Sequence, residues 1–433
     1  MKVYEYGKDS MAPLFEALRT RSPEGRKDVE ETVLNILRNV RERGDTALLE
    51  YTAKFDGVNL TPQTLEVSEA ELEEALLGVD GELLKAIEKA AANIRAFHER
   101  QRENSWFMTQ ADGTLLGQKV TPLSRVGVYA PAGTAPLPST VLMDVIPAKV
   151  AGVEEIILCS PPQKDGKINP LVLACAKLAG IDRAFALGGA QAVAAMAYGT
   201  QTLPRVDKIV GPGNIYVATA KKQVFGACGI DMIAGPSEVL VIADGSANPA
   251  YVAADLLSQA EHDRLSSAIL VTTSSEMALR VQGEVEAQLS RLERNAIAAR
   301  SLEDYGAIVI TPDLEEAVSL SNQIAPEHLE ICTLNPFSLL SGIKNAGAIF
   351  LGNHSPEAVG DYFAGPNHTL PTTGTARFFS PLGVYDFVKR QSVISYSQKA
   401  FMEAAPYVAA FADAEGLSAH AQAIRIRTGE VRR

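Results

Sequence analysis

Apolar residues recur along the first part of the chain at the spacing of a helix face. DVEETVLNILRNVRERGD, residues 28–45, sets Val29, Val33, Ile36, Leu37 and Val40 three or four apart and then meets Gly44. That pattern predicts an amphipathic helix with a glycine stop. GELLKAIEKAAANIRAFHERQ, 81–101, continues the character, and its His98 lies in a charged stretch that reads as solvent-facing surface. Helices are therefore expected through the first 110 residues.

Near residue 120 the texture changes. Short apolar runs end in glycine-rich turns and pass into alanine-rich helical stretches. RVGVYAPAG leads into LPSTVLMDVIPAKVAG, EEIILCS into NPLVLACAKLAG, RAFALGGAQ into AVAAMAYG, and DKIVGPGN into IYVATAKKQVFG. A second series runs from SEVLVIADG through SSAILVTTS and GAIVITPD to AGAIFLGN. Strands alternating with helices at this spacing predict βαβ units and parallel sheets. The expected class is α/β: two Rossmann-like, doubly wound halves, an N-terminal helical region and a small C-terminal helical arm. The expected division is an N-terminal extension (1–24), a first Rossmann-like domain (25–125 with 238–380), a second (126–237), and a C-terminal dimerisation arm (381–433), with a hinge near 236–240. The arm shows no strand texture, and AFMEAAPYVAAFADAEGLSAHAQAIRIRTG reads as two helices parted by Gly416.

Charge narrows the partners. A net charge of −12 argues against nucleic acid or an anionic membrane as a main partner, because phosphate binding needs clustered Lys and Arg. MKVYEYGKDS has no apolar core for a signal peptide, and no uncharged run approaches the roughly 18 residues that span a bilayer. Cys159, Cys175, Cys228 and Cys332 are far apart among apolar neighbours, so the expectation is free buried thiols in a reducing cytoplasm.

Several stretches carry candidate chemistry. In DLLSQAEHD, 255–263, Gln259 and His262 stand three apart on a predicted helix begun by Asn248 and Pro249, at the edge of the stripe of Val252 and Leu256. They are either satisfied core polar groups or ligands. LGGAQ and VGPGN place glycines between strand and helix, where free N–H groups favour phosphate, although neither matches GxGxxG. PEHLE puts Glu327 and His328 behind a proline that can start a helix: either a solvated charged helix start, or a pair of bases with Glu327 kept ionised by the helix terminus. Residues 352–374 hold His354, Asp361 and His368 in a long loop ordered by Tyr362 and Phe363. EGLSAHAQ carries Glu415 and His420. Gln259, His262, Asp361 and His420 offer oxygen and nitrogen without thiolate, a set suited to Zn²⁺ or a harder divalent ion.

The stretches YAPAGTAPLPSTVLM, VGPGNIYVATAK, IDMIAGPSEVLVIAD, DLLSQAEHD, IAPEHLEI, GDYFAGPNHTLPT and EGLSAHAQAIRIR occur here in the order of one family, and over nearly its whole length the chain resembles histidinol dehydrogenases. The resemblance implies a homodimer that oxidises L-histidinol to L-histidine through bound L-histidinal, at the last step of histidine biosynthesis, with NAD and one Zn²⁺ per subunit. It implies zinc ligands at Gln259, His262, Asp361 and His420, a catalytic pair at Glu327 and His328, and NAD contacts at Tyr129, Gln191 and Asn214. Substrate contacts are implied at Ser237, His368 and Glu415, beside His328 and the four metal ligands. The C-terminal arm would reach the partner's site, so that Glu415 and His420 act in trans. Ala132 stands where glycine is expected in many relatives, and His354 lies outside the shared pattern. The competing readings are oxidation of another small polar alcohol on the same scaffold, and a zinc hydrolase that needs no nicotinamide.

Overall fold

The computed structural model describes residues 1–21, 26–132 and 136–429, so Glu24 and the Gly-Thr-Ala centre of YAPAGTAPLPSTVLM lie outside the described residues. The apolar runs become strands. Along the chain these are β1 (Lys2–Glu5), β2 (Trp106–Thr109), β3 (Leu115–Pro122), β4 (Arg125–Tyr129), β5 (Glu155–Ser160), β6 (Arg183–Ala186), β7 (Lys208–Val210) and β8 (Gly229–Ile230). There follow β9 (Glu238–Ala243), β10 (Ser267–Thr272), β11 (Ala307–Ile310), β12 (His328–Cys332), β13 (Ala348–Leu351) and β14 (Val388–Ser395).

The chain divides into two compact units, Met1–Gln101 with Leu123–Phe387, and Arg102–Pro122 with Val388–Arg433. The first contains two wholly parallel sheets, ordered β6-β5-β4-β7-β8 and β1-β11-β10-β9-β12-β13. Alternate residues of each strand face opposite layers, as period-two geometry requires. Ile156 and Leu158 enter one apolar cluster and Ile157 and Cys159 the other. Val239 and Val241 are likewise separated from Leu240 and Ile242. Both sheets are therefore buried on two faces, and truncating a side chain such as Ile157 to alanine would cost about 2–5 kcal/mol. The first residues are more than an extension: β1 pairs with β11 at the sheet edge.

The second unit is an antiparallel sheet, β14-β3-β2, with helices Gln398–Ala414 and Ser418–Thr428. Gly416, at φ 74°, separates those helices as expected. The arm is not purely helical, however. VKRQSVIS forms β14, and its polar residues on both faces hid the strand, whose burial pattern is mostly exposed.

His98 also departs from expectation. It is fully buried, with Nδ1 2.8 Å from the Ile94 carbonyl oxygen, because it extends the buried face of Ala90, Ala91 and Ile94 by one turn. The four cysteines are free and buried, as expected. No helix among the described residues is long and apolar enough to cross a membrane.

Candidate active site

The polar cluster of the six-stranded sheet lies where β9 and β12 begin. Glu327 and His328 are not a helix start. The helix Leu314–Ile324 ends at Ala325 in the left-handed conformation (φ 54°), and the chain passes through Pro326 and Glu327 straight into β12. HLEIC is buried at every position, and that central place between β9 and β13 overrides the local helix signal. Glu327 therefore lacks a helix terminus to hold it ionised, and burial pushes its pKa up to about 8.

Glu238, the first residue of β9, binds both members of the pair. Its N–H donates to Glu327 Oε2 (2.8 Å), and its carbonyl lies 2.9 Å from His328 Nδ1. A carbonyl can only accept, so Nδ1 carries a hydrogen, and Nε2 is the nitrogen at which the ring gains or loses its second proton. Nε2 is buried and lies 3.5 Å from Asp361 Oδ1. Burial disfavours charge on this ring, but Glu327, Asp361 and Glu357 around it hold its pKa well above the usual imidazole value.

Ligating atoms of His328, Glu357 and Asp361 lie within 4.8 Å of one another. Burial alone would raise Asp361, yet the His328 ring beside it, with His368 and His262 further off, brings its pKa below the ordinary carboxylate value. Glu357 is the member that sequence reading missed. It stands four residues before Asp361, where the short helix Glu357–Val359 runs into a π-turn over Gly360–Ala364, a helical (i, i+4) spacing that was the available signal. Its carboxylate accepts from Ser258 Oγ (2.9 Å), and its N–H donates to Glu330 Oε1 (2.7 Å).

Gln259 is the penultimate residue of the helix Pro249–Ala260, which Asn248 caps as expected. Its amide is fully buried beside the Glu357 carboxylate, whose pKa burial raises and the amide helps to lower. His262 lies beyond the helix end, in the turn that follows, where its N–H donates to the Gln259 carbonyl (3.1 Å). Partly buried His368 binds the Asp361 carbonyl oxygen through Nδ1 (3.0 Å) and faces Thr140 Oγ1 through Nε2 (3.3 Å). Ser237 directly precedes Glu238. The buried amide of Gln259 beside Glu357 and the Asp361 carboxylate next to His328 offer neutral and anionic oxygens of the kind that fit a divalent ion.

The residues expected to meet a nucleotide belong to the five-stranded sheet. Tyr129 ends β4, and its hydroxyl accepts from the Gly189 N–H (3.1 Å). Gln191 is buried in the first turn of the helix Gly189–Tyr198, and among the described residues its amide atoms have no hydrogen-bond partner. Asn214 caps the helix Ile215–Val224, its Oδ1 accepting from Tyr216 and Val217 N–H (3.0 and 3.2 Å). Between them Gly211 has φ 108°, and a Cβ there would lie 2.3 Å from the Tyr129 carbonyl oxygen, so only glycine fits. These positions surround the carboxyl ends of β4 and β7, where the strand order reverses and open α/β sheets bind ligands.

Glu415 and His420 belong to the second unit. Both are exposed, Glu415 at the end of the helix Gln398–Ala414 and His420 in the first turn of Ser418–Thr428. His354 follows β13 in a turn and is exposed.

Two parallel sheets of one strand order, a glycine turn at the switch point of one and a buried acid–imidazole pair beside a cation cradle in the other are the layout of an α/β dehydrogenase with a candidate metal centre. Residues 19–428 match the histidinol dehydrogenase family. The chain belongs to that family of oxidoreductases. It is 59% identical over 405 residues to the histidinol dehydrogenase of Syntrophotalea carbinolica, covering 94% of this chain and 93% of the relative. It is 56% identical over 403 residues to that of Bacillus subtilis, covering 93% and 94%. The crystal structure of histidinol dehydrogenase from Elizabethkingia anophelis superposes with a TM-score of 0.93 at 40% identity, over 99% of this chain and 98% of that one.

Proposed function

We propose that this protein oxidises L-histidinol to L-histidine in two NAD-linked steps, through L-histidinal held in place, at the end of histidine biosynthesis in the cytoplasm. Gln259, His262 and Asp361 of one subunit and His420 of its partner would hold one zinc ion in a homodimer. NAD, when bound, accepts hydride, and zinc, when bound, gives the substrate's imidazole and amine a common anchor. Tyr129, Gln191 and Asn214 would contact the nucleotide. Ser237, His368 and the partner's Glu415 would grip the substrate alongside His328 and the metal ligands.

The observation that carries this reading is the placement of His328: Nδ1–H is fixed on a backbone carbonyl, and Nε2 faces Asp361 and Glu357. A base needs that nitrogen, once its proton has left, within reach of the substrate hydroxyl. His328 takes the hydroxyl proton in the first oxidation. Glu327, buried and raised to about 8, then takes a proton from the water that adds to the aldehyde while His328 returns its proton to the carbonyl oxygen, giving the diol. His328 takes that proton back as the second hydride leaves to a second NAD. A neutral amide at Gln259 adds an oxygen without adding negative charge, which leaves the cation able to accept the two substrate nitrogens.

The test is a count. Histidinol and excess NAD are given to metal-free and zinc-restored protein, and reduced cofactor is measured per histidinol consumed. Two equivalents, formed only with the metal, are expected. One equivalent, turnover without metal, or product without NAD would each refute the proposal.

A further inference from the structure

The geometry points to Arg21 as a positioning residue for the Glu327–His328 pair, acting through Glu238; this rests on the reading that the pair performs the chemistry. The Glu238 backbone binds both side chains, by N–H to Glu327 Oε2 and by carbonyl to His328 Nδ1. Any rotation of the Glu238 backbone therefore moves the acid and the imidazole together. On one side that backbone is in register with β10 at Ser267; on the other its N–H and carbonyl serve the pair, and there the Glu238 side chain, itself held twice, adds the remaining restraint. Arg21 Nη2 donates to Glu238 Oε1, and the Thr373 N–H donates to the same oxygen (3.1 Å).

Arg21 is well anchored for the task. It is 2% exposed, its Nη1 donates to the Leu265 carbonyl (2.8 Å), and its guanidinium lies 5.6 Å from the centre of the Tyr305 ring. The pair joins positions 217 apart, drawing the end of the first helix, Ala12–Thr20, to the start of β9. Thr373 comes from the loop that carries His368 and holds φ 52°, a left-handed conformation that is strained for threonine. Such strain collects where surrounding structure enforces a functional geometry.

Stability alone does not account for the pair. A buried ion pair gives back little more than its desolvation removes, and apolar side chains of similar volume do as well or better. This pair is also single-pronged, since Arg21 Nε and Glu238 Oε2 have no partner among the described residues. Its strongest use is geometric. Both oxidations draw on groups suspended from Glu238, so freeing it slows both, whereas the metal ligands and the nucleotide turn are left in place.

The experiment compares R21A and R21K with L14A, which opens a cavity at a buried position of the same N-terminal helix. For R21A, kcat is expected to fall about 100-fold for histidinol and for histidinal alike, the loss that a shift of about 1 Å produces. The KM for NAD and the zinc affinity by chelator competition should stay unchanged. R21K should be intermediate, and ethylguanidinium should restore part of the R21A rate. L14A should keep its kcat although its melting temperature falls. The inference is overturned if R21A loses no more kcat than L14A, if the loss is confined to one oxidation, or if neither lysine nor ethylguanidinium restores activity. Should R21A fail to fold, R21K against L14A decides by the same comparison. H328A separates the two claims. An active H328A removes the catalytic pair and this inference with it, whereas an inactive H328A beside R21A and R21K proteins of wild-type kcat removes only the role of Arg21.

Discussion

The two parallel sheets share a strand order and use opposite edges. In β6-β5-β4-β7-β8 the chain starts at β4, winds outward to β6, then returns to β7 on the other side; β11-β10-β9-β12-β13 repeats that path from β9. The candidate nucleotide residues stand at the carboxyl ends of the first sheet's strands. Glu238, Glu327 and His328 stand at the amino ends of the second's. Helix polarity explains the difference. At the carboxyl edge, helices begin: Gly189–Tyr198 and Ile215–Val224 present free N–H groups and the positive end of their dipoles, which suits phosphate. At the amino edge, helices end. Pro249–Ala260 delivers Gln259 and His262 at its negative terminus, which suits a cation and a base. One topology thus offers a candidate anion site and a candidate cation site, according to which edge the chain furnishes with side chains.

Substitutions at each edge should have separable effects. The largest belong to the amino edge. His328→Ala should lower kcat of the alcohol step by about 10²–10⁴, the range of a lost general base, with the zinc affinity retained. Glu327→Gln should slow histidinal oxidation far more than histidinol oxidation, and stopped-flow measurement with each substrate would show it. Equal losses at both steps would contradict the division of labour.

At the carboxyl edge the effects should be smaller and fall on the cofactor. Gly211→Ala forces a Cβ against the Tyr129 carbonyl oxygen at positive φ, so about 1–3 kcal/mol of stability should be lost and the KM for NAD should rise. A variant with an unchanged KM for NAD would detach this turn from the nucleotide. Next to it lies Asp144, which accepts from Thr369 Oγ1 (2.8 Å) and whose pKa burial, with Asp231 nearby, pushes up to about 8. The folded state keeps a proton there that the unfolded chain releases near its ordinary value. That stabilisation is full below the unfolded pKa and declines as pH rises toward the folded one. The wild-type melting temperature should therefore drop between about pH 5 and about pH 8, and Asp144→Asn, which needs no proton, should drop less. An identical slope in both proteins would place the proton elsewhere.

How much of this was legible depended on burial. Strands β4 to β7, β9 to β11 and β13 announced themselves as apolar runs because their sheets are covered on both faces. β12 did not, since His328 and Glu330 interrupt the run and Pro326 mimics a helix start; position within the sheet decided the matter. β1, β2, β3 and β14 lie at edges or in a three-stranded sheet with exposed residues, where periodicity carries little information. The glycine turns could be read locally, because Gly211 answers a local steric demand. The expected metal ligands Gln259, His262, Asp361 and His420 could not be placed together from spacing, as they come from three remote segments and were joined as one centre only through family resemblance. Glu357 and Glu238 escaped even that route. Both look like ordinary charged residues until burial and their contacts with Ser258, Glu327 and His328 are seen.

The cation edge is tested most directly by a crystal of the zinc-loaded protein measured above and below the zinc absorption edge. The account predicts an anomalous peak in contact with Gln259, His262 and Asp361 of one subunit and with His420 of the partner subunit. A peak held by other residues, or one that His420 of the partner subunit does not touch, would contradict it.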